Sequence, residues 1–254
     1  MLSHEYDTMR QVEDTYWWYR VLRKLTASAV ARHVSPSSSA SILDAGTGTG
    51  GTLDELRRTS ATWKLHGFDF SPLAVEHTQK RGFPDVRHGS VNAMPEPDAF
   101  FDTVTSLDVT CCKGVDIPQA FREFNRVLKP GGILVQNFPA FEALKGRHDI
   151  AVYCVRRFTI ADVRRLHEEQ GLELLSVHYW NAWLFLPILA WRQITRVTAR
   201  SENQEEVASD LSPLPSWLNG LLYGVGMLDA SLCRLLGPPF GTSVFSVARK
   251  PIPS

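Results

Sequence analysis

Residues 42–51 read ILDAGTGTGG, and this stretch decides the fold that the chain can adopt. Its first four residues are apolar or small around one acid, Asp44, which predicts a short buried strand. A glycine-rich turn follows directly. Because glycine has no Cβ atom, such a turn lets the backbone approach a bound ligand closely. The stretch therefore predicts a ligand site at the carboxyl end of a strand in an α/β fold.

The turn fits two cofactor templates. Residues 46–51 have the spacing G-x-G-x-x-G of a dinucleotide-binding turn, and residues 44–50 have the spacing D-x-G-x-G-x-G of an S-adenosylmethionine loop. Asp44 favours the second, because a carboxylate there would repel a pyrophosphate and would suit an ammonium or sulfonium group. Asp69 ends the next predicted strand and can accept hydrogen bonds from ribose hydroxyls, which fits either cofactor.

Composition limits the function further. The chain has 254 residues and a formal net charge of +0, which suits one large domain with helical additions and argues against a nucleic-acid partner. The four cysteines have no C-x-x-C spacing, so we expect small apolar residues in a reducing cytoplasm and no metal site. The longest apolar run, WLFLPILAW at residues 183–191, is short of the ~20 residues of a spanning helix.

Strands and helices alternate along the chain, which is the signature of a parallel sheet covered on both faces. A helix at 9–33 precedes the alternation, and a helical stretch at 217–236 and a polar loop at 201–210 lie before the last strand. Further helices are predicted at 51–58, from Ser71-Pro72 onward, at 119–128 and at 159–170. Strands are predicted at 42–45, 63–69, 86–89, 101–107, 133–137, 172–179 and 243–248.

Four motifs carry a family resemblance. LDAGTGTG, GFDFSP, FDTVTSLDV and RVLKPGGILV occur in this order between residues 42 and 137. Together they resemble the class I S-adenosylmethionine-dependent methyltransferases, in the branch often called type 11. The resemblance implies a Rossmann-like, seven-stranded, mostly parallel sheet with an antiparallel last strand. It also implies S-adenosyl-L-methionine as cofactor, S-adenosyl-L-homocysteine as product and a small-molecule substrate.

The N-terminal segment extends the resemblance. Residues 13–19 read EDTYWWY, which is similar to the E-x-x-x-W-W-[FY] helix of one subgroup of bacterial methyltransferases. We predict that residues 1–36 form a helical lid. Residues 37–254 would then be the methyltransferase domain, with a helical insertion at about 181–240.

The resemblance implies which residues hold the cofactor. The loop would line the methionine end of the cofactor, Asp69 would hold the ribose, and Phe70 would lie against the adenine. Ser90 stands where the family usually has an acid. Trp18 and Arg23 would reach the cofactor from the lid. The implied cofactor residues are Asp44, Gly46, Thr47, Gly48, Gly50, Asp69, Phe70, Ser90, Val91, Trp18 and Arg23.

Candidate catalytic residues follow the fourth and fifth strands, where open α/β sheets bind ligands. His148 is the leading candidate base, against the alternative of a surface or capping histidine. Asp108 is the second candidate catalytic residue, expected to contact the site, against the alternative of an ordinary loop acid. Cys112 and Cys154 stand where the subgroup often has histidine. The predicted substrate contacts are Trp17, Tyr19, Cys112, Phe138, Arg156 and Arg157, of which the two arginines could instead form surface ion pairs.

Three functions stay open at this point. The first is a cytoplasmic methyltransferase that modifies an O, N or C nucleophile of a small metabolite, as in natural-product biosynthesis. The second acts on a lipid or isoprenoid, with residues 183–191 and 217–236 as a membrane-docking face. The third is a silent binding module with the same fold. The sequence does not decide the oligomeric state.

Overall fold

The computed structural model describes residues 3–198 and 213–253, and its centre is one seven-stranded sheet. The strands lie in the order β3-β2-β1-β4-β5-β7-β6. β7 is antiparallel to both neighbours, and the other pairs are parallel, as the predicted fold requires. The strands are β1 (Ser41–Ala45), β2 (Lys64–Asp69), β3 (Arg87–His88), β4 (Phe101–Leu107), β5 (Leu128–Pro139), β6 (Glu173–Trp180) and β7 (Ser243–Arg249).

Helices cover both faces of this sheet, and two of them begin at the caps that the sequence predicts. Ser71 Oγ accepts from the backbone N–H of Ala74 at 3.4 Å, and Thr159 forms a capping box with Asp162. The helices are α1 (Ser3–Val12), α2 (Trp17–His33), α3 (Gly51–Thr59), α4 (Pro72–Lys80), α5 (Ile117–Val127), α6 (Arg147–Ala151), α7 (Ile160–Glu169), α8 (Phe185–Thr198) and α9 (Ser216–Leu236).

The N-terminal helix differs from the prediction. A single helix at 9–33 is wrong, because the chain breaks between Val12 and Trp17 into α1 and α2. The Oδ1 atom of Asn219, in α9, accepts a hydrogen bond from the backbone N–H of Trp17 at 3.1 Å. This contact joins residues 202 positions apart, so no local pattern contains it.

Two strand boundaries also differ. β3 has only two residues, and β5 begins at Leu128, five residues before the predicted start at residue 133, so residues 130–132 lie inside the strand. Gly131 accommodates this with a φ of 80°, beside a register shift in the pairing of β4 with β5. The carboxyl ends of β1, β2, β4 and β5 still meet at one edge, which is where the site lies.

The C-terminal insertion is helical, as predicted, and its polar loop at 201–210 lies outside the described residues. α9 packs on α2 and β6. Gly226 permits the close approach, since a Cβ atom there would lie 3.0 Å from Cγ2 of Val21. Trp17, Trp180 and Cys233 belong to the shared core. The insertion and the N-terminal helices therefore support each other.

We predict that Asn219→Ala destabilises the protein by loosening the start of α2. Asn219 is buried, and its side chain also donates to Leu214 O at 3.1 Å, so truncation leaves buried backbone groups without partners. The free energy of unfolding should fall by about 1–3 kcal/mol in denaturant titrations. Ser231→Ala, on the exposed side of α9, is the control. An equal effect of both variants would contradict the role of Asn219.

Candidate active site

A cavity of about 940 Å³ lies at the carboxyl edge of the sheet, beneath α1, α2 and α8. Ligand pockets commonly measure ~300–1,000 Å³, so this one has room for a cofactor and a second molecule. We call the part of the cavity that is lined by the glycine loop and Asp69 the first end. We call the part that is lined by His148, Arg157 and Trp191 the second end.

The glycine loop forms the floor of the first end. Gly46, Gly48 and Gly50 have φ angles of 95°, 53° and 87°, which side chains rarely adopt. A Cβ atom on Gly46 would lie 2.4 Å from Cγ2 of Val109, and one on Gly48 would lie 2.7 Å from Cε of Met9. The loop is therefore a cradle that only glycine can form.

Asp69 faces the cavity from the end of β2. Its Oδ2 accepts from the N–H of Gly48 at 2.8 Å, and its Oδ1 accepts from the N–H of Ser71 at 2.9 Å. Burial raises the pKa of this carboxyl above its ordinary value. Each oxygen retains a lone pair, so Asp69 can still accept hydrogen bonds from two hydroxyls of a ligand.

Asp44 lies behind the loop, almost completely buried. Its carboxyl accepts a hydrogen bond from Thr105 Oγ1 at 2.6 Å. Burial raises its pKa to about 7 against the effect of this hydrogen bond, and the charge of Asp69 adds to the rise. Thr78, in α4, supports the loop from outside, because its hydroxyl donates to Gly48 O at 3.0 Å and to Thr47 Oγ1 at 3.4 Å.

The N-terminal segment covers the loop through a buried carboxylate. Glu13, in the break between α1 and α2, accepts hydrogen bonds from Arg81 and Thr49. Arg23 Nη1 lies 3.6 Å from Glu13 Oε2 and also lines the cavity. Burial raises the pKa of Glu13, and the two arginines oppose that rise. These ion pairs hold the lid against the start of α3.

Asp108 is the acid at the second end. It follows β4 with a φ of 56°, a strained angle for a residue with a side chain. Asn137 Nδ2 donates to both carboxyl oxygens at 2.9 Å, and Asn137 Oδ1 accepts from Trp180 Nε1 at 2.9 Å. Burial raises the pKa of Asp108 to about 6, although Asn137 and Arg157 favour the charged form. The acid is therefore held rigidly and titrates near neutral pH.

Comparison with known proteins agrees with this geometry. Residues 43–136 match the family model described as "Methyltransferase domain". Residues 43–136 are thus a class I S-adenosylmethionine-dependent methyltransferase domain. S-adenosylmethionine is the cofactor of such domains, and Gly46, Gly48, Asp69 and Arg23 line the cavity in which it would bind.

Relatives extend beyond the matched domain. A probable S-adenosylmethionine-dependent methyltransferase of Mycolicibacterium smegmatis is 28% identical over 169 residues, 64% of this chain and 61% of that protein. A demethylmenaquinone methyltransferase of Chlorobaculum parvum is 31% identical over 121 residues, 47% of each chain. The aligned regions thus span roughly half the length of these curated relatives.

The fold also recurs among solved structures. Geranyl diphosphate C-methyltransferase from Streptomyces coelicolor superposes with a TM-score of 0.58 at 14% identity, covering 89% of this chain and 76% of that one. At this identity the similarity shows the fold alone.

The methyltransferase domain brings most of the predicted cofactor residues together. Gly46, Gly48, Asp69, Ser90 and Val91 line the cavity. Phe70, Trp18 and Arg23 line it as well, and Phe70 is 74% exposed at the rim. Asp44, Thr47 and Gly50 are not among the described residues that line the cavity. Thr47 and Gly50 belong to the loop itself, and Asp44 lies behind it.

The predicted substrate residues divide into two groups. Trp17, Tyr19, Cys112 and Arg157 line the cavity, as does the candidate base His148. Trp18 stacks on Trp180 with ring centroids 5.9 Å apart, which fixes α2 against β6. Burial raises the pKa of the Tyr19 phenol, so this group stays neutral.

Phe138 and Arg156 are placed elsewhere. Phe138 is fully buried in the core against Phe158, because β5 turns its side chain away from the cavity. Arg156 is exposed at the surface, outside the lining that the described residues form. Neither placement provides the substrate contact that the sequence suggests.

Arg157 is committed to a buried ion pair. Its Nε lies 2.9 Å from Asp149 Oδ1, its Nη2 lies 3.1 Å from Asp149 Oδ2, and its Nη1 donates to Ala140 O. The Arg157 guanidinium lowers the pKa of the Asp149 carboxyl against the effect of burial. The pair thus shapes the cavity wall that carries His148.

The cysteines form a second feature of this wall. Cys112 and Cys154 face each other across an isolated antiparallel bridge, and Cys111 lies beside them. A hydrogen bond from Cys111 lowers the pKa of the Cys112 thiol. Among residues 3–198 and 213–253 no group of three His, Cys, Asp or Glu side chains has the arrangement of a metal site.

Several site residues have no counterpart in the sequence-based prediction. Glu13 is part of the tryptophan motif, but nothing in the motif shows that it pairs with Arg81, 68 positions later. Tyr6 and Met9 line the cavity from α1, and Asn137 orients Asp108. Only the folded topology brings these residues to the site.

We predict that Glu13→Ala releases the lid. Removal of the carboxylate leaves Arg23 and Arg81 close together without their buried partner, so α1 should detach from the loop. The amide hydrogens of α1 should exchange faster, and the affinity for S-adenosylhomocysteine should fall about tenfold or more. Glu76→Ala, in an exposed pair with Lys80, is the matched control. Unchanged exchange of α1 in Glu13→Ala would contradict the clamp.

Proposed function

We propose that this protein transfers a methyl group from S-adenosylmethionine to an apolar or amphipathic small molecule. One observation carries the proposal: a single cavity joins the glycine cradle to Asp108 and His148. Cofactor and acceptor can therefore meet in one cavity. The acceptor atom is an O, N or C nucleophile, and the reaction would belong to a cytoplasmic biosynthetic pathway.

The chain's own residues would act mainly by positioning. Bound S-adenosylmethionine supplies a methyl carbon open to in-line attack. The loop backbone and Asp69 hold the ribose and methionine parts, and Arg23 lies within the cavity where it can pair with a carboxylate. Tyr19 and Trp18 exclude water from the reacting end. Fixing two reactants in line accounts for a large share of catalysis in such displacements.

Asp108 would accept the proton of the acceptor. Its carboxyl faces the cavity, and Asn137 fixes both oxygens. With a pKa of about 6, the carboxylate is ionised at neutral pH and is still basic enough to take a proton. His148 lines the same end, on the wall that the Arg157–Asp149 pair supports.

The acceptor class follows from the walls of the second end. Leu184, Ile188, Trp191 and Val152 are apolar, and Tyr19 and Trp17 add aromatic faces. Such walls bind rings and hydrocarbon chains by removing apolar surface from water. The relative named as a demethylmenaquinone methyltransferase supports a small-molecule acceptor.

The cofactor is tested by calorimetry with S-adenosylhomocysteine. We expect binding on the order of micromolar for the native protein and none for NAD. Asp69→Ala should abolish binding, because Asp69 holds both the loop and the ribose position. Asp98→Ala, which alters an exposed partner of Arg126, should bind normally. Equal affinity of Asp69→Ala and the native protein would place the cofactor elsewhere.

The proton acceptor is tested by the pH dependence of kcat/KM with radiolabelled S-adenosylmethionine and an acceptor found by screening. Asp108 works as its carboxylate, so activity should rise with pH through about 6 and then level off. Asp108→Asn should lower kcat by about 10²-fold or more and remove this rise. His148→Ala should keep the rise. The opposite pattern would assign the proton transfer to His148.

A further inference from the structure

The outward face of α9 is mostly apolar. Trp217, Leu221, Leu228, Leu232 and Leu235 recur at helical spacing and are exposed, with Leu235 at 80%. The opposite face of the helix holds Gly226, Ala230 and Cys233 against α2 and the sheet. Both faces of α9 are thus largely apolar, but only one of them is packed against the rest of the protein.

α8 repeats this arrangement beside the cavity. Leu186, Trp191 and Ile194 are exposed on its outer side. Ile188 and Arg192 line the cavity on the inner side of α8. Trp191 also lines the cavity, and it is 60% exposed at the protein surface. The cavity wall therefore reaches the protein surface at Trp191.

An aromatic contact joins the segment after α9 to the first residue of α8. Phe240 follows α9 by four positions and packs on Phe185, the first residue of α8, with ring centroids 5.3 Å apart. Phe240 thus links the segment after α9 to the start of α8. We name the exposed apolar residues of α8 and α9, with Phe240, the C-terminal apolar surface. Large exposed apolar patches on folded proteins commonly mark binding sites.

Charge on this surface points to a bilayer. Among the residues of α8 and α9 whose exposure the structure describes, no exposed one is acidic, and Arg234 is basic. Asp229 is turned inward, where it accepts hydrogen bonds from the N–H groups of Ala182 and Trp183 at 3.1 and 3.2 Å. Tryptophan at two sites of the surface suits the interface of headgroups and acyl chains.

No helix in the described part of the chain is long and apolar enough to cross a membrane. Contact with lipid would therefore be peripheral, with exposed side chains entering the headgroup region. A protein partner on the same surface would cover the cavity wall at Trp191, whereas a bilayer there would present acceptor molecules to it. This difference favours lipid over a second copy of the chain.

We propose that the C-terminal apolar surface docks on an anionic lipid bilayer and that the acceptor is an amphipathic lipid, which enters the cavity past Trp191. The identity of the acceptor rests on the methyltransferase function proposed above. The docking step rests on the surface alone. The two parts can therefore fail separately.

Vesicle flotation tests the docking with the full chain. Vesicles of phosphatidylcholine with phosphatidylglycerol should carry the native protein upward in a sucrose gradient, and phosphatidylcholine alone should carry less. The double variant Leu221→Glu, Leu228→Glu should lose about tenfold or more of the bound fraction, because each change replaces an exposed leucine that would enter the bilayer with a charge. Ile252→Glu, an equally exposed apolar position outside the surface, is the matched control.

Calorimetry with S-adenosylhomocysteine separates folding and cofactor binding from docking. The double variant should bind it as the native protein does, because Leu221 and Leu228 are outside the cavity lining given by the described residues. A native protein that floats but binds no S-adenosylhomocysteine would overturn the methyltransferase function and leave the docking intact. A native protein that stays at the bottom of the gradient would overturn the docking. A native dimer that the double variant converts to a monomer would assign the surface to a second copy instead.

Discussion

The site depends on one buried carboxylate. Glu13 is taken out of water between α1 and α2, where an unpaired charge would cost several kcal/mol, and Arg81, Arg23 and Thr49 compensate it. These partners come from α2, the glycine loop and the end of α4. One set of ion pairs therefore holds together the lid, the cofactor cradle and the helix that follows β2. The cradle has its shape only while this set is complete.

A second chain of contacts leads from the lid to the acid at the other end. Trp18 stacks on Trp180, Trp180 donates to Asn137, and Asn137 donates to Asp108. Each member is rigid, because tryptophan and asparagine have few rotatable bonds and all are buried or stacked. The packing of α2 on β6 thus defines the orientation of Asp108 from the far side of the sheet. The strained φ of Asp108 is maintained by the same contacts.

Local patterns in the sequence were sufficient for the sheet, the helix caps and the glycine loop. Each depends on neighbours within a few positions, as Ser71 and Thr159 show. The break at Glu13 was not predictable in this way, because Asn219 and Arg81 stabilise it from distant parts of the chain. The same reason explains why the burial of Phe138 in the core was not predicted. The strand was predicted, but the direction of its side chain depends on the register with β4 and β7.

Burial also decides which of the two arginines predicted to contact the substrate lies at the cavity. Arg156 and Arg157 are adjacent in sequence and chemically identical, yet one is exposed and the other is paired with buried Asp149. No pattern in the pair distinguishes them. The seven-stranded fold and the cofactor follow from short motifs, whereas the acceptor end is built from contacts between segments that lie far apart.

Met9 occupies the space above Gly48, where even one additional carbon would collide with it. α1 therefore lies against the glycine loop at this point. A product that leaves the cradle past α1 would require this helix to lift. Its residence time would then depend on how firmly the N-terminal segment is fastened, and an opening motion would limit turnover even where methyl transfer itself is fast.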